Sequence, residues 1–341
     1  MYRFLHKPQY LRHLFIAALA LLPLAVMNDA RACAACGDTL SRDWGAQGGS
    51  AEPGYTADLS YSYINQNQQR YDSSTASPGL ISSLQAAGQE IEDYTVTRTT
   101  TAALNYSSDT WGITAQIPYL QRAHGTFGTA SDGSTYSSSY ASGIGDIRII
   151  GRYNGFLTDR TTGIIAGIKL PTGSTNTNFN SGDAANTPVD RSLQLGTGST
   201  DLILGGIFTG TAGKFGWFAQ GTMQYAVTTK TIDGLDYRPG NAYALNAGLR
   251  YAKFGARFTP LLQINYIHRQ PDTGAGATPN DALTGGPATG GTLVYLAPGV
   301  SARIGGGTSV YGFVQLPLYQ HVNSLQLSPR YTLTLGIRHA F

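Results

Sequence analysis

From about residue 55 to the C-terminus, apolar and polar side chains alternate with a period of two in segments bounded by turn-forming residues. A period of two puts one face of an extended chain in apolar surroundings, so each such segment predicts a strand. The pattern predicts strands at about 55–67, 93–106, 111–122, 144–156, 162–171, 198–211, 215–229, 240–252, 256–270, 291–304, 309–320 and 328–341. The last is the clearest. Tyr331, Leu333, Leu335, Ile337, His339 and Phe341 alternate with Thr332, Thr334, Gly336, Arg338 and Ala340, and the chain stops on the aromatic residue. Tyr243, Leu245, Ala247, Leu249 and Tyr251 form a second apolar stripe, and Phe258, Leu262, Ile264 and Tyr266 a third.

The connections alternate in length. Short turns are expected at 107–110, 158–160, 212–214, 253–255 and 305–308, and between them lie Gly/Ser/Thr/Asn/Asp-rich stretches at 68–92, 123–143, 172–197 and 271–290, with shorter ones at 230–239 and 321–327. An even number of roughly ten-residue strands, short turns on one side, long loops on the other and aromatics near the ends of the apolar stripes describe an all-β fold, a transmembrane antiparallel β-barrel. About 12 strands, short periplasmic turns and long extracellular loops are expected. A soluble sandwich or β-helix also has many short strands, but it has no use for an apolar outer stripe capped by aromatics. Pro118, Pro171 and Pro317 fall near strand ends, where the missing N–H is tolerated at a rim, bulge or edge.

The N-terminus does not fit this pattern. Arg3, Lys7, Arg12 and His13 precede an apolar run, Leu14 to Val26, and Ala30-Arg31-Ala32 supplies small-x-small spacing. Residues 1–32 therefore read as a signal peptide, 33–54 as a periplasmic N-terminal segment, and 55–341 as the barrel. The leader carries four basic residues and Asp29, so the formal net charge of +3 belongs to it and the exported chain is neutral. Nothing in the charge points to nucleic acid. With 43 Gly, 21 Tyr and only 13% charged residues, the composition favours strands and turns, and no exported segment is apolar for long enough to span a bilayer as a helix.

If the apolar stripes face lipid, the opposite faces line a lumen. This register points Asp58, Asp146, Arg148, Arg152, Lys169, Arg250, Arg269, Arg303 and Arg338 inward, together with Asn154, Gln220, Gln224, Asn246, Gln263, Asn265, Ser301 and Gln315. Seven of these nine charged side chains are basic. Such a lumen attracts small anions, or else its arginines bind Asp58, Asp146 and loop carbonyls to fill a narrow interior. Phe218, Tyr295, Tyr311, Phe313 and Tyr319 also fall on the inner side, which suits aromatic or hydrophobic solutes.

Chemistry-bearing motifs are few. Cys33-Ala34-Ala35-Cys36 has redox or half-metal-site spacing, but Gly37 stands where a c-type haem site needs His. In an oxidising compartment the pair reads as a disulfide, a partner-binding element or a lipidated Cys33, although Arg31 departs from a lipidation signal. The remaining histidines, His124, His268, His321 and His339, are scattered over loop starts and strand ends, and no nucleophile–base–acid arrangement is visible. No catalytic residue, metal site or cofactor is assigned.

Three blocks, Gly143-Ile144-Gly145-Asp146-Ile147-Arg148, Gly167-Ile168-Lys169-Leu170-Pro171-Thr172-Gly173 and Leu195-Gly196-Thr197-Gly198-Ser199-Thr200-Asp201-Leu202-Ile203-Leu204-Gly205, resemble those of the outer-membrane transporters grouped with the meta-pathway of phenol degradation. The resemblance implies a barrel that admits hydrophobic or aromatic compounds, with no catalytic residues. Taken with the lumen, it makes a non-enzymatic outer-membrane channel or transporter for small hydrophobic, aromatic or anionic solutes the expected function. The expected partners are outer-membrane lipid, the solute, and the barrel-assembly machinery, which reads a final strand such as Tyr331 to Phe341. The alternative is a structural or assembly barrel that engages a periplasmic redox or metal-handling partner through Cys33 and Cys36.

Overall fold

The computed structural model describes Leu40 and residues 53–128, 135–251 and 257–341. The expected leader and the Cys33/Cys36 pair lie outside these residues. Eleven wall segments follow one another around a single antiparallel sheet. They are Gly54–Asp72, Ile91–Ser107, Trp111–Phe127, the interrupted Tyr136–Ile144 and Arg148–Tyr153, Thr162–Lys169, Asp201–Ala212, Phe215–Ala226, Ala242–Tyr251, Phe258–Arg269, Gly291–Gly305 and Thr308–Ala340. The last is 33 residues long and reverses direction at Val322–Ser324, where Ser324 has a φ of 55°. Its first arm pairs with Gly291–Gly305 and its second with Gly54–Asp72, from Asp72↔Val322 to Thr56↔Ala340. Twelve strands therefore close the wall among the described residues, as the alternation predicts. Closure matters because an open sheet edge in hydrocarbon leaves backbone donors and acceptors unpaired.

The period-two pattern is realised as two opposed faces. Leu59, Leu104, Ile113, Ile117, Leu204, Leu245, Leu249, Leu262, Ile264, Leu335 and Ile337 are exposed on the outside, an apolar outer surface of the kind that a membrane covers. Aromatics pack around one rim: Tyr55 on Tyr106 at 5.0 Å, Tyr106 on Trp111 at 5.2 Å, Tyr153 on Phe156 at 4.9 Å and Phe215 on Tyr251 at 5.1 Å. Tyr225 and Tyr243 lie at the other end of their strands, and Tyr319 lies near the reversal at Val322–Ser324. Tyr243 and Tyr251 are eight residues apart, about 27 Å along a strand and roughly 20 Å along the barrel axis at a typical tilt, close to the height of an outer-membrane apolar band.

Three departures from the expected elements have local causes. The strand expected at 144–156 is broken at 145–147 and begins earlier, at Tyr136. The Asp146 side chain is drawn out of the ladder by Lys169, Thr197 and the Gly173 amide. Pro118 lies within a strand rather than at its end, opposite that gap, because Tyr119 pairs with Ile144 and Gln116 with Arg148; its absent N–H has no partner there to lose. Pro317 sits at the register shift between Val294 and Tyr295. That bulge turns Tyr319 outward, where it is 47% exposed, so Tyr319 does not line the lumen as the uninterrupted alternation implied.

The loop after the first strand contains a helix, Pro78–Ala86, which the alternation does not announce. Ser77 caps it by accepting from the Leu80 amide at 3.3 Å, and Pro78 occupies the first turn, where no donor is needed. Leu84 is fully buried under it.

Inside, one half of the wall is filled by its own side chains. Ile165, Ile207 and Phe218 form one cluster, and Leu261, Ala297, Tyr311 and Phe313 another. Leu40, from the segment before the barrel, is buried in the second cluster and thus lodges in the lumen. The void bounded by Phe218, Arg250, Leu261 and Gln263 is too tight for a water molecule.

Candidate functional site

The three sequence blocks converge on one buried polar knot. The ladder pairs Arg148 with Lys169, and Lys169 with Asp201. Lys169 donates to Asp146 at 3.1 Å and lies 3.1 Å from Asp201, all three side chains being no more than 8% exposed. Asp146 also accepts from the Gly173 amide at 3.0 Å and from the Thr197 amide and hydroxyl at 3.0 and 2.8 Å. Asp201 accepts from Ser199 at 2.6 Å and Gln224 at 2.5 Å. Every charge in the knot is therefore paired and hydrogen-bonded, as burial demands. Glycine is needed where the blocks touch: a Cβ on Gly196 would lie 2.4 Å from the Gly173 carbonyl oxygen. The knot pins the 170–200 loop to the wall, and its charges are not available to a solute.

Arg338 is engaged too, 3.7 Å from Asp58, which also accepts from the Tyr311 hydroxyl at 3.0 Å. The remaining sequence-selected arginines separate into two tiers. Arg152, Arg250 and Arg303 share the short-turn end of the barrel with Arg338, each lying within a few residues of a short turn. Arg148 and Arg269 lie toward the long-loop end, Arg269 at the last position of its strand. Tyr295 and Phe313 line the inside as expected, both buried.

Residues that the alternation did not select complete the upper tier. Arg122 and His124 face inward, 8% and 1% exposed. Arg122 donates to Thr97 at 3.2 Å and to the Gln194 carbonyl at 2.9 Å, so the 170–200 loop dips into the barrel mouth. Its apolar cluster, Phe179, Ala184, Val189 and Leu193, packs there, with Phe179 6.2 Å from the His124 ring. Arg191 stacks over Tyr237 at 5.0 Å, and the Tyr237 hydroxyl donates to Asp272 at 2.9 Å. The Thr95–Thr97 alternation opposite Arg122 and His124 carried the signal for these two; no periodicity marks loop residues such as Arg191.

Burial raises the carboxyls of this cap. Glu90 is pushed up to about 7 by burial and then by the neighbouring Asp190, against a hydrogen bond from Thr126. Asp190 is raised by burial while accepting from Thr278 at 3.2 Å. Asp272 is raised to about 7 by burial, offset by donation from the Gly240 amide and Tyr237. Asp281 moves the other way: burial pushes it up, but Ser324 and the amides of Leu283 and Thr284 outweigh that and lower it.

Each histidine among the described residues pairs with a hydroxyl: His124 with Thr95 at 2.9 Å, His268 with Thr292 at 2.9 Å, His321 with Ser73 at 3.0 Å and His339 with Thr308 at 2.8 Å. Among the described residues, no three His, Cys, Asp or Glu side chains are grouped to hold a metal. A concavity of about 580 Å³ opens on the apolar outer side beside Leu59, Val310, Gly312 and Leu335, away from the lumen.

The sequence matches no family model and no curated protein, and the resemblance over 143–205 to the phenol-pathway transporters is thus not extended by a family match. Solved structures do match. An outer-membrane channel from Pseudomonas putida F1 is 13% identical, with 89% of this chain and 100% of that one covered and a TM-score of 0.61. A FadL homologue from Pseudomonas aeruginosa is 8% identical over 84% of this chain and 90% of its own, with a TM-score of 0.45. The β domain of a Bordetella autotransporter is 11% identical over 85% and 100%, with a TM-score of 0.44. The first establishes that this chain has the fold of an outer-membrane β-barrel.

Proposed function

We propose that the chain is an outer-membrane channel for small solutes, exported by residues 1–32 and inserted by the barrel-assembly machinery through the Tyr331–Phe341 strand. The observation that carries the reading is a closed wall, apolar outside and arginine-bearing inside at two levels. The packed clusters around Phe218, Leu261, Phe313 and Leu40 make the described conformation a closed one. Aromatic and aliphatic side chains in that layer favour solutes with an apolar or aromatic body, and the arginine tiers favour negative charge. The structural likeness to the Pseudomonas putida channel supports a transport barrel at the level of fold.

Refolded full-length protein in planar bilayers tests the reading. Discrete conductance steps, with liposomes that take up small aromatic or anionic solutes, are the expected result. A heat-modifiable, folded barrel that neither conducts nor passes any such solute would overturn it.

A further inference from the structure

The concavity on the outer wall has an apolar lining and a charged rim. Leu59, Tyr61, Val300, Val310, Leu335 and Ile337 border a depression of about 580 Å³ that runs from the Gly291–Gly305 strand over both arms of the last strand to the first. Gly312 forms part of its floor: it has no side chain, and a Cβ there would lie 3.1 Å from the Leu335 side chain. Leu59, Val300, Leu335 and Ile337 stay exposed around it.

Toward the long-loop end the register brings two arginines to this rim. Tyr61 and Thr100, a cross-strand pair on the lining, are followed two positions on by the pair Tyr63 and Arg98, about 7 Å further along the strands. Arg98 lies over the Tyr63 ring at 5.8 Å. On the other side of the first strand, Asn65 faces both Arg330 and Tyr331, because Ile64 pairs with Thr332 and Gln66 with Pro329. Thr332 and Pro329 are buried, so the bulge turns Arg330 and Tyr331 outward together, and both are exposed. Two strand spacings, about 10 Å, separate the Arg98 and Arg330 strands, a span that two long side chains bridge through one shared anion. Among the described residues, neither arginine forms an ion pair within 4.0 Å. Tyr63 is eight residues from Tyr55 and Arg98 eight from Tyr106, the spacing that separates Tyr243 from Tyr251. Arg98 therefore stands at the second aromatic level, where lipid headgroups begin and an arginine on the outer face costs little.

We propose that this outer face holds one phosphorylated glycolipid of the outer leaflet, with an acyl chain in the depression and a phosphate between Arg98 and Arg330. A guanidinium fork matches two phosphate oxygens at once, and the apolar lining takes the chain. Long loops face outside in an outer-membrane barrel, which puts the arginine rim in the leaflet that carries such lipids. A second copy of the chain suits the face less well. Both barrels insert the same way up, so a two-fold contact sets cation against cation at this rim.

The site rests on the outer-membrane orientation of the barrel and not on conduction. Native mass spectrometry of the full-length protein in detergent micelles, titrated with bisphosphorylated lipid A and with the same lipid stripped of its phosphates, is the experiment. One lipid A per barrel should be retained, and the stripped lipid at least tenfold more weakly. Arg98→Gln with Arg330→Gln should lower lipid A to the level of the stripped form, while Arg303→Gln, at the short-turn end, changes neither. Ala302→Phe, which fills the depression from its lining, should weaken both lipids severalfold; Val310→Phe makes the same test if that variant does not fold. Equal retention of the two lipids, retention indifferent to the arginine pair or to the filled depression, or a second copy retained in place of lipid overturns the site. Phosphate-dependent lipid binding in a barrel that never conducts upholds the site and removes the transport reading.

Discussion

Replacing Lys169 by Met separates the structural charges from any that serve a solute. The substitution keeps an unbranched side chain one heavy atom shorter and leaves Asp146 and Asp201 without their shared cation. Breaking a buried ion pair by removing one partner costs about 3–5 kcal/mol. Asp146 keeps three donors, the Gly173 amide and the Thr197 amide and hydroxyl, and Asp201 keeps Ser199 and Gln224. The retained bonds place the expected loss at the low end, about 3 kcal/mol, or roughly a hundredfold in the folding equilibrium constant. Urea unfolding of the refolded barrel in lipid vesicles, followed by tryptophan fluorescence, measures it. Adding Asp201→Asn to Lys169→Met removes the surplus charge and should recover about half of the loss through a coupling between the two sites. A Lys169→Met barrel within about 0.5 kcal/mol of the parent, or a second substitution that adds its own cost, would refute the claim that the knot is a closed, mutually satisfied unit.

The cap carboxyls give a pH prediction. Because Glu90 and Asp272 sit at about 7 in the folded cap, above their usual carboxylate range, the folded state holds more protons than the unfolded one between about pH 4.5 and 7. Cap stability is therefore full at acid pH and is lost as pH rises through 7. Amide exchange in the 170–200 and 270–290 loops should be slower at pH 5 than at pH 8 after correction for intrinsic rates, and Glu90→Gln should flatten the difference; equal corrected rates would sink the assignment. At the short-turn tier, Arg250→Gln with Arg303→Gln should lower the anion preference of the conductance, and unchanged reversal potentials in a salt gradient would count against a role for that tier. Phe341 is 75% exposed and its amide donates to the Tyr55 carbonyl at 3.0 Å, so Phe341→Ala removes little packing. It should leave the unfolding midpoint within experimental error and reduce the amount of assembled barrel in outer-membrane fractions severalfold; normal assembly would remove the role given to the terminal aromatic.

The wall was legible in the sequence because its physics is local. A strand between lipid and lumen must alternate, and the final strand does so for its whole length, with Tyr331, Leu335 and Ile337 exposed and Thr332 and Thr334 buried as the alternation requires. The break at 145–147 was not legible, because the side chains that pull Asp146 away belong to Lys169 and Thr197, on other strands and loops. Tyr319 was misplaced for a related reason: a single bulge inverts every face beyond it, and nothing near Pro317 in sequence reports that the partner strand shifts at Val294. The inward reach of the loops was least visible. Arg191 and Asp190 read as ordinary polar loop residues, yet Gln194 and Leu193 beside them are buried against the inner wall.

Charge shows why the distinction between wall and loop matters for function. Counted along the strands, the lumen looks uniformly cationic, but the acids on those strands are consumed where they stand, Asp58 by Arg338 and Tyr311, Asp146 and Asp201 by Lys169. The loops then bring Glu90, Asp190 and Asp272 to the same mouth as Arg122, Arg191 and Arg269. The field a solute meets is therefore set by which donors are left unsatisfied rather than by net charge. Such donors lie on Arg250 and Arg269 in the wall as well as on Arg191 in a loop, so loop position and wall composition together set the field inside the barrel.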